Sequence, residues 1–322
     1  MIKLHQRPRP RKYRKHYRVT NWRDYEQGLK SRGDITLWIS DKAIDQWDQN
    51  EYKGRGRPNK YSSLAIETVL FIRLLFKLPL RQTEGFIYSL FQLMNLDLDV
   101  PDHSTLSRRS QTLNPKIRCY GKIKGAIHIM IDSTGLSIHG EGKWTRHKHG
   151  KRKRRGWRKL HIATDQNGMI HAVSLSDETQ RDGAVAPGLI REVGEINSLI
   201  TDSGYDEFKV YQTALNHMKP NGKIIIHPRS NAVVSATKKA ALRQRDQHVK
   251  EIQSRGVFEW RKTSGYYQQS KIENSFYRYK TIIGDHLKSR REDSRLVESI
   301  LACNLLNQFR LMTKPQSELI PK

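Results

Sequence analysis

Cysteine is nearly absent from this 322-residue chain, with only Cys119 and Cys303, far apart in sequence. That excludes a disulfide framework and a cysteine-based zinc site, and predicts two ordinary thiols in a reducing compartment. Long apolar runs are missing too. A bilayer span needs ~20 such residues, yet the longest run, Val69 to Phe76, is interrupted by Arg73. The opening residues are basic and lack an apolar segment of the signal-peptide kind. The expectation is a soluble, cytoplasmic protein with no membrane partner. Acids are scarce as well: 32 Asp+Glu against 59 Lys+Arg leave a net charge of +27. No basic amphipathic helix presents Trp, Phe and Leu on one face, whereas counterion release rewards many Lys and Arg contacts with phosphates. Nucleic acid is therefore the expected partner. A hydrophobic content of 36%, with 21 Gly and 11 Pro, fits a folded chain, long enough for one large domain or two ordinary ones.

Residues 1–18 are basic and nearly free of aliphatics after Leu4. They read as an arm that orders on DNA, or equally as a solubilising tail. A polar, Trp-containing stretch runs to about Tyr52, and Lys53-Gly54-Arg55-Gly56-Arg57-Pro58 punctuates the chain as a linker. From Ser62 the pattern turns helical. Leu64, Ala65, Thr68, Ile72 and Leu75 recur at three- and four-residue steps, with Ser62 or Ser63 placed as a cap. Leu78-Pro79 ends this helix. A second helix over about Arg81 to Met94 buries Phe86, Ile87, Leu90 and Phe91, and Pro101-Asp102-His103-Ser104 starts a third that carries Arg108 and Arg109. Three short helices with a basic last one predict a helix-turn-helix-like DNA-binding region within 19–120, although any small helical bundle reads the same way.

The second half has a different rhythm. Ile127–Asp132, Lys159–Asp165 and Met169–Ser176 read as strands, the last two joined by a tight turn at Gln166-Asn167-Gly168. A helix over Gly183–Val193, a strand over Ser198–Asp202, a helix over Glu207–Met218 and a strand over Lys223–His227 follow. The polar, helix-prone stretch at about 230–258 reads as an insertion. A helix over Gly265–Ile282 carries Glu273, and Ser294–Met312 forms a closing amphipathic helix with Leu296, Ile300, Cys303 and Leu306 toward the sheet. The pattern predicts an α/β fold, a mixed sheet flanked by helices over 121–314, with a tail at 315–322.

Asp132 and Asp202 share a context. Each ends a short apolar strand and precedes small residues, Ser133-Thr134-Gly135 and Ser203-Gly204. Either alone reads as a turn former or a helix cap. As a pair they place carboxylates in the crevice where open α/β sheets bind ligands. Glu273 sits mid-helix in this reading, with Tyr266 seven residues before and Lys280 seven after. Seven residues drift by only about 20° around a helix, so phenol, carboxylate and ammonium share a stripe. Three distant carboxylates of this kind suit two divalent ions held against a phosphate backbone. Asp182, by contrast, precedes Gly183 and an apolar helix and is read as its cap.

Asp132, Asp202 and Glu273, with Gly204-Tyr205 behind the second and Tyr266 and Lys280 framing the third, resemble the DDE transposases of bacterial insertion sequences. More narrowly, the chain resembles the insertion-sequence-five family. Asn21-Trp22, Arg32-Gly33-Asp34, Pro101-Asp102, Ser107-Arg108-Arg109, Asp132 to Leu136 and Trp157 to His161 all look like family positions. The spacings of 70 and 71 residues between the acids strengthen the likeness.

The resemblance implies an RNase H-like catalytic core, with the first Asp on the opening strand, the second after the fourth strand and Glu on a later helix. It implies catalysis and metal binding by Asp132, Asp202 and Glu273, with Tyr266 and Lys280 touching DNA. Hard carboxylate oxygens suit two Mg²⁺ or Mn²⁺ ions. The implied partners are double-stranded DNA, as element ends and target, and a second copy of the chain, since two ends must be paired. Family members commonly carry Arg four residues before the Glu, where this chain has Gln269. Lys271 and Arg278 fall roughly 160° and 140° around a regular helix from Glu273 and do not replace it. The block from Lys143 to Arg155, including Lys151, Arg152, Lys153, Arg154 and Arg155, is the densest charge and is expected to track phosphates, with no catalytic part for His147 or His149. Two rival readings share these residues: a DNA-binding regulator whose acids are structural, and an RNase H-like nuclease that cuts without joining.

Overall fold

A computed structural model describes residues 17–35, 38–48, 58–120, 127–138, 156–236, 239–312 and 314–320. The block from Lys143 to Arg155, the residues before Tyr17 and the segment 49–57 lie outside the described residues. The chain opens with strand β1 (Tyr17–Val19) and helices α1 (Trp22–Ser31), α2 (Asp41–Asp45), α3 (Ser63–Leu75), α4 (Leu80–Leu93) and α5 (His103–Thr112). Strands β2 (His128–Ile138), β3 (Trp157–Asp165) and β4 (Ile170–Asp177) follow, then α6 (Asp182–Val193), β5 (Ile196–Thr201), α7 (Phe208–Asn216) and β6 (Met218–Ile226). The last part holds α8 (Arg243–Ser264), α9 (Ser270–Arg278), β7 (His286–Leu287), α10 (Glu292–Met312) and β8 (Ser317–Leu319), which pairs antiparallel with β1.

The main sheet has the order β4-β3-β2-β5-β6, with β7 added beside the far end of β2. β2, β3 and β4 form an antiparallel meander, while β5 and β6 run parallel to β2. The β3–β4 turn is the one its sequence predicts: Gly168, at φ +77, donates its N–H to the Asp165 carbonyl at 2.9 Å. A left-handed residue there suits glycine, which has no Cβ to clash.

Side chains alternate across the central strand, so each face of the sheet owns a separate core. Ile129, Ile131, Ala163 and Leu199 pack beneath α6 and α7 with Val185, Leu189, Tyr205 and Tyr211. Met130, Leu136, Leu160, Ile162 and Ile200 face the other way and join Ile272 and Phe276 of α9 and Leu301 and Leu305 of α10. That second core continues without a break into Trp38, Trp47, Ile72 and Phe91, so the N-terminal helices share it with the sheet.

This sharing overturns two expectations about helix faces. α3 does not present one apolar stripe. It is buried along ten consecutive residues, Ala65 to Leu74, because α10, α4 and α5 enclose it, and even Glu67 and Arg73 are covered. Glu67 accepts from the Arg118 guanidinium. α10 is likewise buried nearly all round, and Leu296, expected inside, is exposed at 39%. Its buried amides explain how a helix can be covered on its polar side. Asn304 and Asn307 hydrogen-bond the backbone of Arg118, Lys116 and Ile170, so no polar atom of those side chains is stranded. Sequence caps behave as expected: Ser62 accepts from Ala65 N–H at 3.0 Å, and Asp102 from Ser104 and Thr105 at 2.8 and 2.9 Å.

Two further expectations change around the acids. β2 does not stop at Asp132 but runs on to Ile138, paired with β3 and β7. The helix carrying Glu273 is not continuous either. A 3₁₀ turn covers Tyr266–Gln269, the α-helix proper starts at Ser270, and a wide π turn covers Tyr279–Ile283. Glu273 therefore lies in a first turn, where the helix dipole favours an acid, and the regular seven-residue stripe does not exist.

Candidate active site

β2 and β5 are neighbouring parallel strands whose partners are His128 with Ser198, Ile129 with Leu199 and Met130 with Ile200. Two residues further along each strand stand Asp132 and Asp202. Met130 and Ile200 share the face toward α9, and Asp132 is two residues on, so it takes the same side of the sheet. Asp202 keeps an extended backbone, φ −79 and ψ −176, which carries the alternation one residue past the end of β5. The two carboxylates thus emerge side by side at the carboxyl end of β5, the position where open α/β sheets place ligand-binding groups. α9, packed on β2 through the same core, brings exposed Glu273 to this side.

Burial and like charge together act on this group. Burial, with Asp202, Asp182 and Glu273 nearby, pushes the Asp132 carboxyl up to about 6, against the opposing pull of the Ser133 N–H. Asp202 also moves up, by burial and the charge of Asp182, while the Gly204 N–H and His227 pull it down. The Asp132 oxygen accepts from Ser133 N–H at 2.7 Å and the Asp202 oxygen from Gly204 N–H at 2.9 Å.

Asp182 is the acid that sequence reasoning set aside. It is the first residue of α6 and makes no side-chain cap. Its carboxylate instead receives Lys159 Nζ at 3.1 Å and Ser133 Oγ at 3.3 Å, and lies 3.9 Å from His161 Nδ1. His161 is fully covered, and burial drives its imidazole down to about 4, so it stays neutral there. Asp182 therefore stands behind the pair from the α6 side, leashed by one lysine. The signal was present in the cluster Asp177, Glu178, Asp182, but a cap is the ordinary reading of an acid before a helix.

Two more neighbours join them: His227, which no sequence pattern marks, and Gln269, noted in the sequence only as standing where the resembled family commonly has Arg. His227 follows β6, and its N–H bonds the Thr201 carbonyl at 3.2 Å, so it stands beside Asp202 at the same sheet edge. Gln269 is buried, and its side-chain N–H donates to the Ile131 carbonyl at 3.3 Å. It ties the turn before α9 to the strand bearing Asp132. Arg278 is not its charged substitute: it donates to the Leu306 carbonyl at 3.2 Å, and burial with Arg310 and Arg32 lowers it to about 10.

Tyr266 does reach the site. Its ring packs against Trp260 at 5.3 Å and His227 at 5.4 Å, with the Arg261 guanidinium 5.7 Å from its centroid. Burial, then the charges of Asp202 and Asp132, raises its phenol. Lys280 is exposed in the π turn and lies near Asp285, whose carboxyl is held low first by His286 and also by Lys280. Arg108 is exposed on α5 and donates to Thr105 Oγ1, whereas Arg109 is directed back to the Tyr61 carbonyl at 2.7 Å. Among these predicted residues, then, the structure gathers Asp132, Asp202, Glu273 and Tyr266, and places Arg108 and Arg109 on the separate helical region. Lys151 to Arg155 lie outside the described residues.

The donor set is hard oxygen from carboxylates, and the buried like charges would be relieved by a cation, so the chemistry fits a divalent metal. Among the described residues, no three His, Cys, Asp or Glu side chains close into a finished metal-ligand group. No described helix is long and apolar enough to cross a membrane.

Comparison with known proteins gives two matches to family models described as "Transposase DDE domain", over residues 30–141 and 123–308. A similar solved structure is the Drosophila P element transposase strand transfer complex, at 11% identity and a TM-score of 0.29, covering 89% of this chain and 86% of that one. The longer family match alone spans more than half of the sequence, so the protein belongs to the DDE transposases and is a transposase enzyme.

Proposed function

We propose that this chain is a transposase of the insertion-sequence-five type that binds the terminal inverted repeats of its element, cleaves DNA there and joins the ends to target DNA. The observation carrying this reading is that Asp132 and Asp202 each stand two residues beyond the Met130–Ile200 pair of adjacent parallel strands, with Glu273 adding charge at the same site. The order is that of an RNase H-like core: the first acid on the opening strand of the sheet, the second after its fourth strand, the third on a later helix.

Family membership implies dependence on a divalent metal. Asp132, Asp202 and Glu273 would hold it, as two Mg²⁺ or Mn²⁺ ions. Bound there, the metal supplies activation of a water or 3′-hydroxyl and charge neutralisation at phosphorus for in-line displacement. The protein's own part is to fix the carboxylates on rigid elements and keep Asp182 behind them, held by Lys159. No side-chain nucleophile is required, so neither Tyr266 nor Ser133 need attack phosphorus, and Ser133 serves to hydrogen-bond Asp182. Arg108 on α5, Tyr266 and Lys280 are assigned to DNA contact, and pairing of two element ends calls for at least a dimer on DNA.

The test is cleavage and strand transfer on duplexes bearing the element ends with Mg²⁺ or Mn²⁺. Asp132→Ala, Asp202→Ala and Glu273→Ala should each abolish both reactions and leave duplex binding largely intact. A wild type that binds but never cuts would mean a DNA-binding regulator, and one that cuts without joining would mean a nuclease.

A further inference from the structure

A cavity of about 610 Å³ lies between the N-terminal helices and the segment from β7 into α10. Six cations line it: Arg73 and Lys77 from the end of α3, Arg81 from α4, and Lys288, Arg290 and Arg291 from the loop after β7. No acidic side chain is among its lining residues. Glu298, behind the lining, offsets part of the charge on Arg73 and Lys288, and an anion entering the open space would offset more of the mutual repulsion.

The site is built rather than fortuitous. Arg73 is only 8% exposed, and its Nε is sealed from water with no acceptor among the described residues. Arg73 nevertheless lines the cavity, so its largely covered guanidinium group stands at the wall where an entering oxyanion would meet charge. The loop that presents the other charges is fixed. Glu298 of α10 accepts from the Lys288 and Ser289 N–H groups at 2.8 Å each, and Arg295 donates to the Ser289 and Arg290 carbonyls at 3.1 and 2.7 Å. Both Glu298 oxygens thereby hold the loop backbone, while its charge also acts on Lys288 and Arg73. Burial, then Arg73, lowers the Lys288 ammonium, with Glu298 opposing and Lys77 adding to the shift.

We propose that this cavity is a seat for a backbone phosphate of duplex DNA, resting on the reading of the protein as a DNA transposase. Arg81 and Ser107 also line an adjoining cavity that reaches Arg108 on α5, so the charge continues as a track along the helical region. In the other direction, β7 pairs with the far end of β2, where His286 opposes Ser137. Ser137 is five residues along β2 from Asp132, roughly 17 Å at the rise of a strand. That is about half a turn of duplex, close enough for one duplex to touch both places.

The experiment is fluorescence anisotropy of the full chain on labelled element-end and unrelated duplexes without metal, as a function of salt. The variants are Arg290→Gln/Arg291→Gln and Arg290→Lys/Arg291→Lys, all at exposed positions, with Asp132→Asn as a reference. Loss of two phosphate contacts should lower the slope of log affinity against log salt by about two, and weaken both duplexes by the same factor, because phosphates carry no sequence information. The lysine variant should keep most of the slope, which a folding defect would not allow. An unchanged slope in the glutamine variant, with tight wild-type binding, would overturn the seat and leave the transposase reading standing. No duplex binding by the wild type would overturn both. Inorganic phosphate stabilising the wild type but not the glutamine variant against heat, with duplex affinity equal in the two, would reassign the cavity to a free anion.

Discussion

Met130 and Ile200 face each other across the β2–β5 pair, and the register between those strands is 70 residues, the same separation that divides Asp132 from Asp202. The two acids are neighbours because the strands are in register. A slip by one residue would send one carboxylate to the opposite face, beneath α6 and α7. Held together in a half-buried site, they repel, and this has a thermodynamic consequence.

The carboxyl of Asp132 is raised to about 6, so between its ordinary value and that value the folded protein binds more protons than the unfolded chain. For a carboxylate shifted upward, stability without metal falls as pH rises through this window and stays lower above it. Asp132→Asn removes the repelling charge and should raise the metal-free melting temperature at pH 7.5, by the equivalent of about 1–2 kcal/mol after allowance for partial exposure. At pH 5, midway through that window, the same substitution should give about half that rise. Mg²⁺ or Mn²⁺ should raise the melting temperature of the wild type at pH 7.5, do so weakly at pH 5, and fail to do so in Asp132→Asn. Thermal unfolding at the two pH values with and without metal checks all three; equal metal-induced shifts in wild type and variant would refute the assignment.

Gln269 works on the same strand, from the turn that precedes α9. Its amide N–H reaches the Ile131 carbonyl, while its Oε1 is buried without a partner among the described residues. The side chain thus gives one hydrogen bond and leaves one acceptor unsatisfied, which nearly cancel in stability. Its value is positional: it fixes the start of the Glu273 helix against the strand of Asp132. Gln269→Leu should leave the unfolding free energy within about 1 kcal/mol. It should lower the rate of duplex cleavage at saturating DNA about tenfold, since small misplacement of reacting groups is expensive, with duplex affinity unchanged. Cleavage at the wild-type rate in a folded Gln269→Leu protein would show that the tie is only structural.

The order of strands and helices over the second half was legible because each element carries its own period and its own punctuation. Asn167-Gly168 marks a hairpin, Ser62 and Asp102 mark helix starts, and all three do so through contacts within a few residues. The spacing of 70 was also legible, but its meaning as a strand register was not, since pairing is a long-range property. Faces were misread for a related reason. α3 and α10 cover each other, so polar residues such as Glu298, Asn304 and Asn307 lie inside, satisfied by backbone groups far away in sequence. Asp182 was misread because its partners, Lys159 and Ser133, come from two other strands. The break at Ser270 replaced a heptad stripe that sequence periodicity alone could not distinguish from a continuous helix.

Far from the acids, His171 and Asp165 provide a pH-dependent brace at the hairpin end of β3 and β4. Their side chains are 8% and 3% exposed, and His171 Nε2 lies 3.3 Å from the Asp165 carboxylate. Asp165 also accepts from the Asn167 and Met169 N–H groups at 2.8 and 2.9 Å, so it closes the turn as well. Burial opposes the charge on His171, but Asp165 and the Cys119 thiol outweigh it and raise the imidazole to about 9. Asp165 is lowered despite its burial, through His171 and the turn N–H groups. A histidine raised in the folded state contributes stability fully below its unfolded value near 6.5, and loses it as pH climbs toward 9. The aspartate's share is present above its unfolded value near 3.9 and disappears as pH falls below it. His171→Gln should therefore cost on the order of 3 kcal/mol at pH 6, and the gap to wild type should close steadily between pH 7 and 10. Urea unfolding of both proteins across that range measures it. A gap that stays constant with pH would mean that His171 acts by packing alone and carries no charge in the native protein.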